Sequence, residues 1–216
     1  MTLTLHGYWR SSASYRVRIA LNLKGLEWRH VGVHLVTGGG MHNSAEFSSL
    51  NPQKLVPVLD VDGTYLNQSL SILEYLEEQY PYPALLPKEA LERAQVRSLC
   101  DVIACEMHPL NNLRVLKYLV TEMDASQAGK TEWYSHWVSE GFRAFEVMLE
   151  NAAHTGDFCH GSGPGMADCC LIPQIYNARR FDIPMNDYPN ILRIEENCRD
   201  LIPFKDARPE NQPDAE

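Results

Sequence analysis

A proline-rich break, Tyr80-Pro81-Tyr82-Pro83 followed by Leu86-Pro87, divides this sequence into two parts with different patterning. Proline has no backbone N–H to give a helix, and its ring clashes with the preceding turn, so no helix runs through such a stretch. Before the break, short apolar runs alternate with helical patterns. Beyond Lys88 almost every segment has helical periodicity. This predicts an α/β domain over residues 1–82 and an all-helical domain over 89–216. A chain of 216 residues is long enough for two small domains or one large one.

In the first part, Leu3 to Trp9 reads as a strand, and Val17 to Lys24 as a helix stopped by Gly25. Glu27 to His34 has period-2 character and reads as a second strand; Gly38-Gly39-Gly40 is a loop, and Ser44 to Leu50 a short helix. Leu55 to Asp60 is an apolar strand interrupted by Pro57, which marks an edge, a bulge or a cis-proline turn. Asp62-Gly63 is a hairpin signal, and Leu70 to Tyr80 is a helix. In the second part the spacing predicts helices over Glu89–Met123 (interrupted at Pro109), Thr131–Asn151, Met166–Phe181 (kinked at Pro173) and Tyr188–Arg199, with an aperiodic polar tail from Ala207.

The turn Arg10-Ser11-Ser12-Ala13-Ser14 joins the first strand to the first helix. Hydroxyls at a helix start satisfy its orphan N–H groups, and that alone explains most of them. The same placement puts hydroxyl donors and free N–H groups at the positive end of a helix dipole, where an anion or a thiolate is stabilised. Residue type and position do not separate the two readings.

The net charge is −9 and the isoelectric point about 5.4, which argues against nucleic acid and anionic membrane surfaces as partners. An acidic substrate then requires locally concentrated positive charge. No secretory signal and no apolar run of bilayer length is visible, so a cytoplasmic protein is expected. The six cysteines form no CxxC pair and lack ligand spacing. They read as reduced, mostly buried small hydrophobes, and no metal centre is expected.

The chain resembles the glutathione transferase superfamily, and within it the zeta class of maleylacetoacetate and maleylpyruvate isomerases. The resemblance rests on Ser11 to Leu21, Leu50-Asn51-Pro52-Gln53 with Val56-Pro57, Gln68-Ser69 before Ile72 to Leu76, Met166-Ala167-Asp168 with Pro173-Gln174, Asn177 to Phe181, Tyr188-Pro189 and Gln212-Pro213-Asp214. It implies a thioredoxin-like N-terminal domain followed by an all-α domain, with glutathione as cofactor. It further implies that Ser11, with Ser12 beside it, stabilises the glutathione thiolate, and that Val56 pairs its backbone with glutathione before a cis Pro57. Gln68 and Ser69 would hold the γ-glutamyl end, and Asn111 would add a polar contact. Around a small dicarboxylate substrate it places Arg10, Arg114, Arg180 and His108, with Arg179 a rival for Arg180 because consecutive residues cannot both face one way. It also implies a homodimer.

Two departures stand out. Ala13 replaces a cysteine common in the family, and Gly165 replaces the Ser or Thr that usually caps the central helix, leaving Asp168 to reach back to backbone N–H groups. The activity implied is glutathione-dependent cis–trans isomerisation of a maleyl dioxo acid in aromatic catabolism. Conjugation of electrophiles such as α-halo acids uses the same thiolate and is a second reading. A non-catalytic binding module is a third, disfavoured because Ser11, Val56-Pro57 and Gln68-Ser69 are all present.

Overall fold

The computed structural model describes residues 2–216; Met1, the first residue of the expected N-terminal domain, lies outside them. Two compact units are resolved among these residues, one comprising 2–85 with 199–216 and the other 86–198.

The first unit is built on a four-stranded sheet. Its strands are β1 (Leu3–Gly7), β2 (Arg29–Gly32), β3 (Val58–Val61) and β4 (Thr64–Asn67), in spatial order β2-β1-β3-β4. β1 pairs parallel with β2 and antiparallel with β3, and β3 pairs antiparallel with β4. The β3–β4 hairpin turns at Asp62-Gly63, both with positive φ (48° and 89°) as an Asp-Gly turn requires. The central position of β1 buries both of its faces, so Thr4 is buried along with Leu3 and Leu5.

Three helices accompany the sheet: α1 (Ser12–Leu23), α2 (Ala45–Leu50) and α3 (Ser69–Gln79). Helix α1 is buried without interruption from Ser12 to Leu21, so its polar residues need internal partners. Arg18 donates to the carbonyls of Trp9 (2.9 Å) and Ala207 (3.0 Å), and Arg16 donates to Ser69 Oγ (3.2 Å). At the end of α1, Lys24 Nζ meets Glu77 Oε2 and the carbonyls of Tyr80 and Pro83, each at 2.6 Å, which fixes the proline-rich break against the helix. The Tyr82–Pro83 and Val56–Pro57 bonds are cis.

The C-terminal residues depart from expectation. Residues 199–216, expected with the helical domain, group with the first unit. A short helix, Ile202–Ala207, packs on α1, and the tail beyond it is anchored where Trp9 N–H donates to Asp214 Oδ2 (3.1 Å). A Cβ on Gly32 would stand 3.0 Å from Asp214 Cβ, so the glycine admits the tail to the end of β2. These ties join residues about two hundred positions apart and leave no local periodicity to read.

The second unit contains α4 (Ala90–Asp101), α5 (Leu113–Thr121), α6 (Gln127–Asn151), α7 (Met166–Arg180) and α8 (Pro189–Arg199, which ends at the boundary); the short helix 202–207 of the first unit is then α9. The interruption expected at Pro109 begins earlier. Residues Val102–Met107 form a wide turn in which His108 N–H bonds the Ile103 carbonyl, five residues back (2.9 Å). A proline cannot continue the ordinary ladder, and the chain adjusts ahead of it. Helix α6 starts at Gln127 rather than Thr131 because Ser126 caps it, accepting from Gly129 N–H (3.0 Å). Helix α7 is continuous through Pro173. Its start, at Gly165, is tied by Asp168, which accepts from the N–H groups of Gly165 (2.8 Å) and Cys159 (2.9 Å). Burial pushes the Asp168 carboxyl above its ordinary range, with those N–H donors opposing. Among the described residues no helix is long and apolar enough to cross a membrane.

Candidate active site

Sheet register brings separate segments of the first unit to one edge. Val58, at the start of β3, pairs with His6 near the end of β1 and with Asn67 at the end of β4. The turn after β1 (Tyr8 to Ser12), the Val56–Pro57 segment before β3 and the Gln68–Ser69 step after β4 therefore lie along the same edge of the sheet. The sequence alone places these residues about 45 and 57 positions apart; antiparallel pairing makes them neighbours.

Ser11 is the N-cap of α1. Its N–H donates to the Tyr8 carbonyl (2.9 Å), and its Oγ accepts from Ser14 N–H (3.2 Å). The capping reading is thus realised, and it does not exclude the other: a hydroxyl accepting through a lone pair still carries a proton to donate. Ser12, buried, takes the first helical position, and Ala13 follows it, also buried.

Arg10 is half-buried. Its guanidinium lies 4.5 Å from the centre of the Trp9 ring, and Nη2 donates to the Tyr8 hydroxyl (3.1 Å). Tyr8 packs edge-on to His34 at 5.0 Å. These aromatic contacts hold the cation without neutralising it.

On the third segment, Ser69 is buried at the first turn of α3, and Arg16 donates to its Oγ. Arg16 was not singled out by sequence reasoning; the helix carries two arginines, and residue type does not show that this one reaches Ser69. Gln68 precedes α3 with φ 68°, a left-handed conformation uncommon for a residue with a side chain, and its Nε2 donates to Gln53 Oε1 (2.7 Å). Gln53 N–H in turn bonds Asn51 Oδ1 (3.0 Å), and Asn51 Nδ2 bonds the Leu55 carbonyl (2.8 Å), which sets the approach to cis Pro57. Pro57 is buried and Val56 half-buried.

The remaining predicted residues belong to the second unit. Asn111 Nδ2 donates to the Tyr134 carbonyl (3.4 Å), and its Oδ1 is buried with no hydrogen-bond partner among the described residues. Arg180 lies 5.0 Å from the Phe181 ring centre, and Phe181 stacks on Tyr134 at 3.7 Å. Burial pushes the Tyr134 hydroxyl up to about 12, with the Arg180 charge opposing. Asn111 and Arg180 thus converge on Tyr134. The consecutive arginines differ in partner: Arg179 pairs with Glu195 through Nε (2.8 Å) and Nη2. Among the described residues no carboxylate pairs with Arg180, Arg114 or Arg10. Arg114 is exposed in the first turn of α5, and His108 is half-buried beside Pro109.

The first-unit edge offers two helix N-termini, two serine hydroxyls and a buried guanidinium behind one of them. That donor set suits a ligand with separated anionic groups, including a thiolate.

This arrangement is that of a glutathione transferase, and the family model "Glutathione S-transferase, N-terminal domain" matches residues 10–79. A probable maleylacetoacetate isomerase of Vibrio cholerae is 50% identical over the whole of this chain and 99% of its own length. Among solved structures, a holo maleyl pyruvate isomerase, described as a bacterial zeta-class glutathione S-transferase, superposes with a TM-score of 0.95 at 43% identity, covering 99% of this chain and 100% of that one. The maleylacetoacetate isomerase of Methylobacterium extorquens AM1, solved with malonate and glutathione, gives 0.93 at 40% identity and covers 99% of each chain. The chain belongs to the zeta class of the glutathione transferases, the group of maleylacetoacetate and maleylpyruvate isomerases.

Proposed function

We propose that this protein isomerises the cis double bond of a maleyl dioxo acid to the trans fumaryl form, with glutathione as a regenerated cofactor. The observation that carries the reading is the Arg10-Ser11-Ser12 turn at the N-terminus of α1, on the same sheet edge as cis Pro57 and Ser69. When bound, glutathione supplies a thiolate that adds reversibly to the conjugated alkene, so that the bond turns before the thiolate leaves.

The chain's own residues do the rest. Ser11 donates its hydroxyl proton toward the sulfur, with Ser12 and the helix N-terminus adding positive potential; a free thiol titrates at about 8.5, so such help is needed near neutral pH. Val56 presents backbone groups to an extended ligand. Ser69, held by Arg16, and Gln68 bind the γ-glutamyl carboxylate at the start of α3. Asn111 offers its unpartnered Oδ1 to a donor. Arg10 stabilises negative charge as it develops on the substrate oxygen, and Arg180 with Arg114 anchors carboxylates. His108 contacts the substrate. We place the reaction in aromatic catabolism in the cytoplasm, and the protein in a homodimer.

The test follows the cis-to-trans absorbance change of maleylacetone and maleylpyruvate with and without glutathione. Isomerisation only with glutathione is the expected result, and the ratio of the two rates ranks the substrates. Tight glutathione binding without isomerisation of either would move the function to conjugation, and loss of both would leave a binding module.

A further inference from the structure

Ligand spacing in the sequence predicts no metal site, but the fold brings three possible ligand side chains of the second unit together. Glu92, in the first turn of α4, faces His154 and His160 on the loop between α6 and α7. His160 Nε2 lies 3.2 Å from Glu92 Oε2, His154 Nε2 lies 3.7 Å from Glu92 Oε1, and the three ligand atoms all fall within 4.8 Å of one another. Nε2 of His160 is buried yet makes no hydrogen bond, so the nearby Glu92 oxygen lies off the axis of the ring nitrogen. Two donors aimed at a common third point have that relation; a simple hydrogen-bonded pair does not.

Two imidazole nitrogens beside a carboxylate are the donor set of zinc and its first-row neighbours, whereas calcium and magnesium prefer all-oxygen shells. Metal–ligand bonds of about 2.0–2.2 Å put tetrahedral ligands roughly 3.3–3.5 Å apart. The two Glu92 contacts are already near that range. His154, the most exposed of the three with 53% of its side chain accessible, is free to close the remaining distance.

The loop is preorganised. Gly161 N–H bonds the His154 carbonyl (2.8 Å), and Phe158 N–H bonds the Gly161 carbonyl (3.3 Å). A Cβ on Gly156 would stand 2.3 Å from the Gly161 carbonyl oxygen, so only glycine allows this closure. Asp168 holds Cys159, next to His160, and Asn197 holds the Asp157 carbonyl (2.7 Å).

We propose that Glu92, His154 and His160 bind one zinc-class divalent cation per chain, with a fourth position open to solvent. The ion ties the 154–161 loop to the start of α4; its role is structural and separate from the glutathione chemistry.

The test uses the full chain stripped with a chelator and titrated with Zn²⁺ against a chromophoric competitor, with Co²⁺ as a spectroscopic probe. Wild type should bind one ion, and the Co²⁺ complex should show ligand-field bands without thiolate charge transfer. Glu92→Gln and His154→Ala should each lower affinity by at least about tenfold and abolish the zinc-dependent rise in melting temperature. Cys105→Ser, which removes the exposed thiol, should change neither. Because His154 is exposed, its alanine variant should fold, and unchanged far-ultraviolet circular dichroism checks this. Zinc binding that is equal in wild type and His154→Ala, or that disappears in Cys105→Ser, would overturn the proposal.

Discussion

A hydroxyl that caps a helix is not used up by its cap. Ser11 caps α1 through its oxygen and retains its hydroxyl proton, so the capping role leaves the proposed thiolate contact open. The consecutive arginines differ in their contacts. Arg179 is spent on Glu195 at the surface, while Arg180 rests on Phe181 without an acidic partner among the described residues. Arg180→Ala should therefore raise KM for the dicarboxylate by about tenfold or more, the loss of a charged hydrogen-bonding partner. Arg179→Ala should leave KM unchanged and cost less than about 1 kcal/mol of stability, as exposed pairs do. Steady-state kinetics and denaturant titrations of the two variants check this, and a KM change in Arg179→Ala alone would exchange the roles. Sequence reading could name the pair but not choose between its members, because the choice depends on Glu195, sixteen residues away on another helix.

At the scale of elements, the start of α7 is the point where a weak local signal is compensated by a buried group. Glycine at position 165 gives no side-chain cap, and Asp168 supplies the missing acceptors to two backbone N–H groups. Asp168→Ala should cost about 2–3 kcal/mol, within the range for hydrogen bonds to a charged acceptor, read as a lowered denaturant midpoint with unchanged slope. A midpoint equal to that of wild type would show that α7 is fixed by packing alone. Elements with strong periodicity, such as α3 and α8, were legible to within a residue or two. The start of α6 was not, because its first turn is polar and its signal is a single capping serine. Neither was the wide turn over 102–107, which exists because a proline follows it.

At the scale of the whole molecule, residues 199–216 return to the first unit through Pro203, Ala207 and Asp214. Backbone carbonyls and one carboxylate make those contacts, and local periodicity marks neither. The site edge was half legible. Motifs identified its three segments, but the pairing of Val58 with both His6 and Asn67 is what unites them. Behind them the buried Arg16 was not foreseen, since burial of a charge is visible only in the fold. The central claim is that this edge holds glutathione as a thiolate through Ser11. The direct measurement is an ultraviolet pH titration of the thiolate in the glutathione complex, for wild type and for Ser11→Ala. The bound thiol should titrate well below about 8.5 in wild type and return toward that value in the variant, with a parallel loss of order 10² in kcat. A bound thiol that titrates like free glutathione in wild type, or a Ser11→Ala enzyme with wild-type thiol pKa and kcat, would contradict the account.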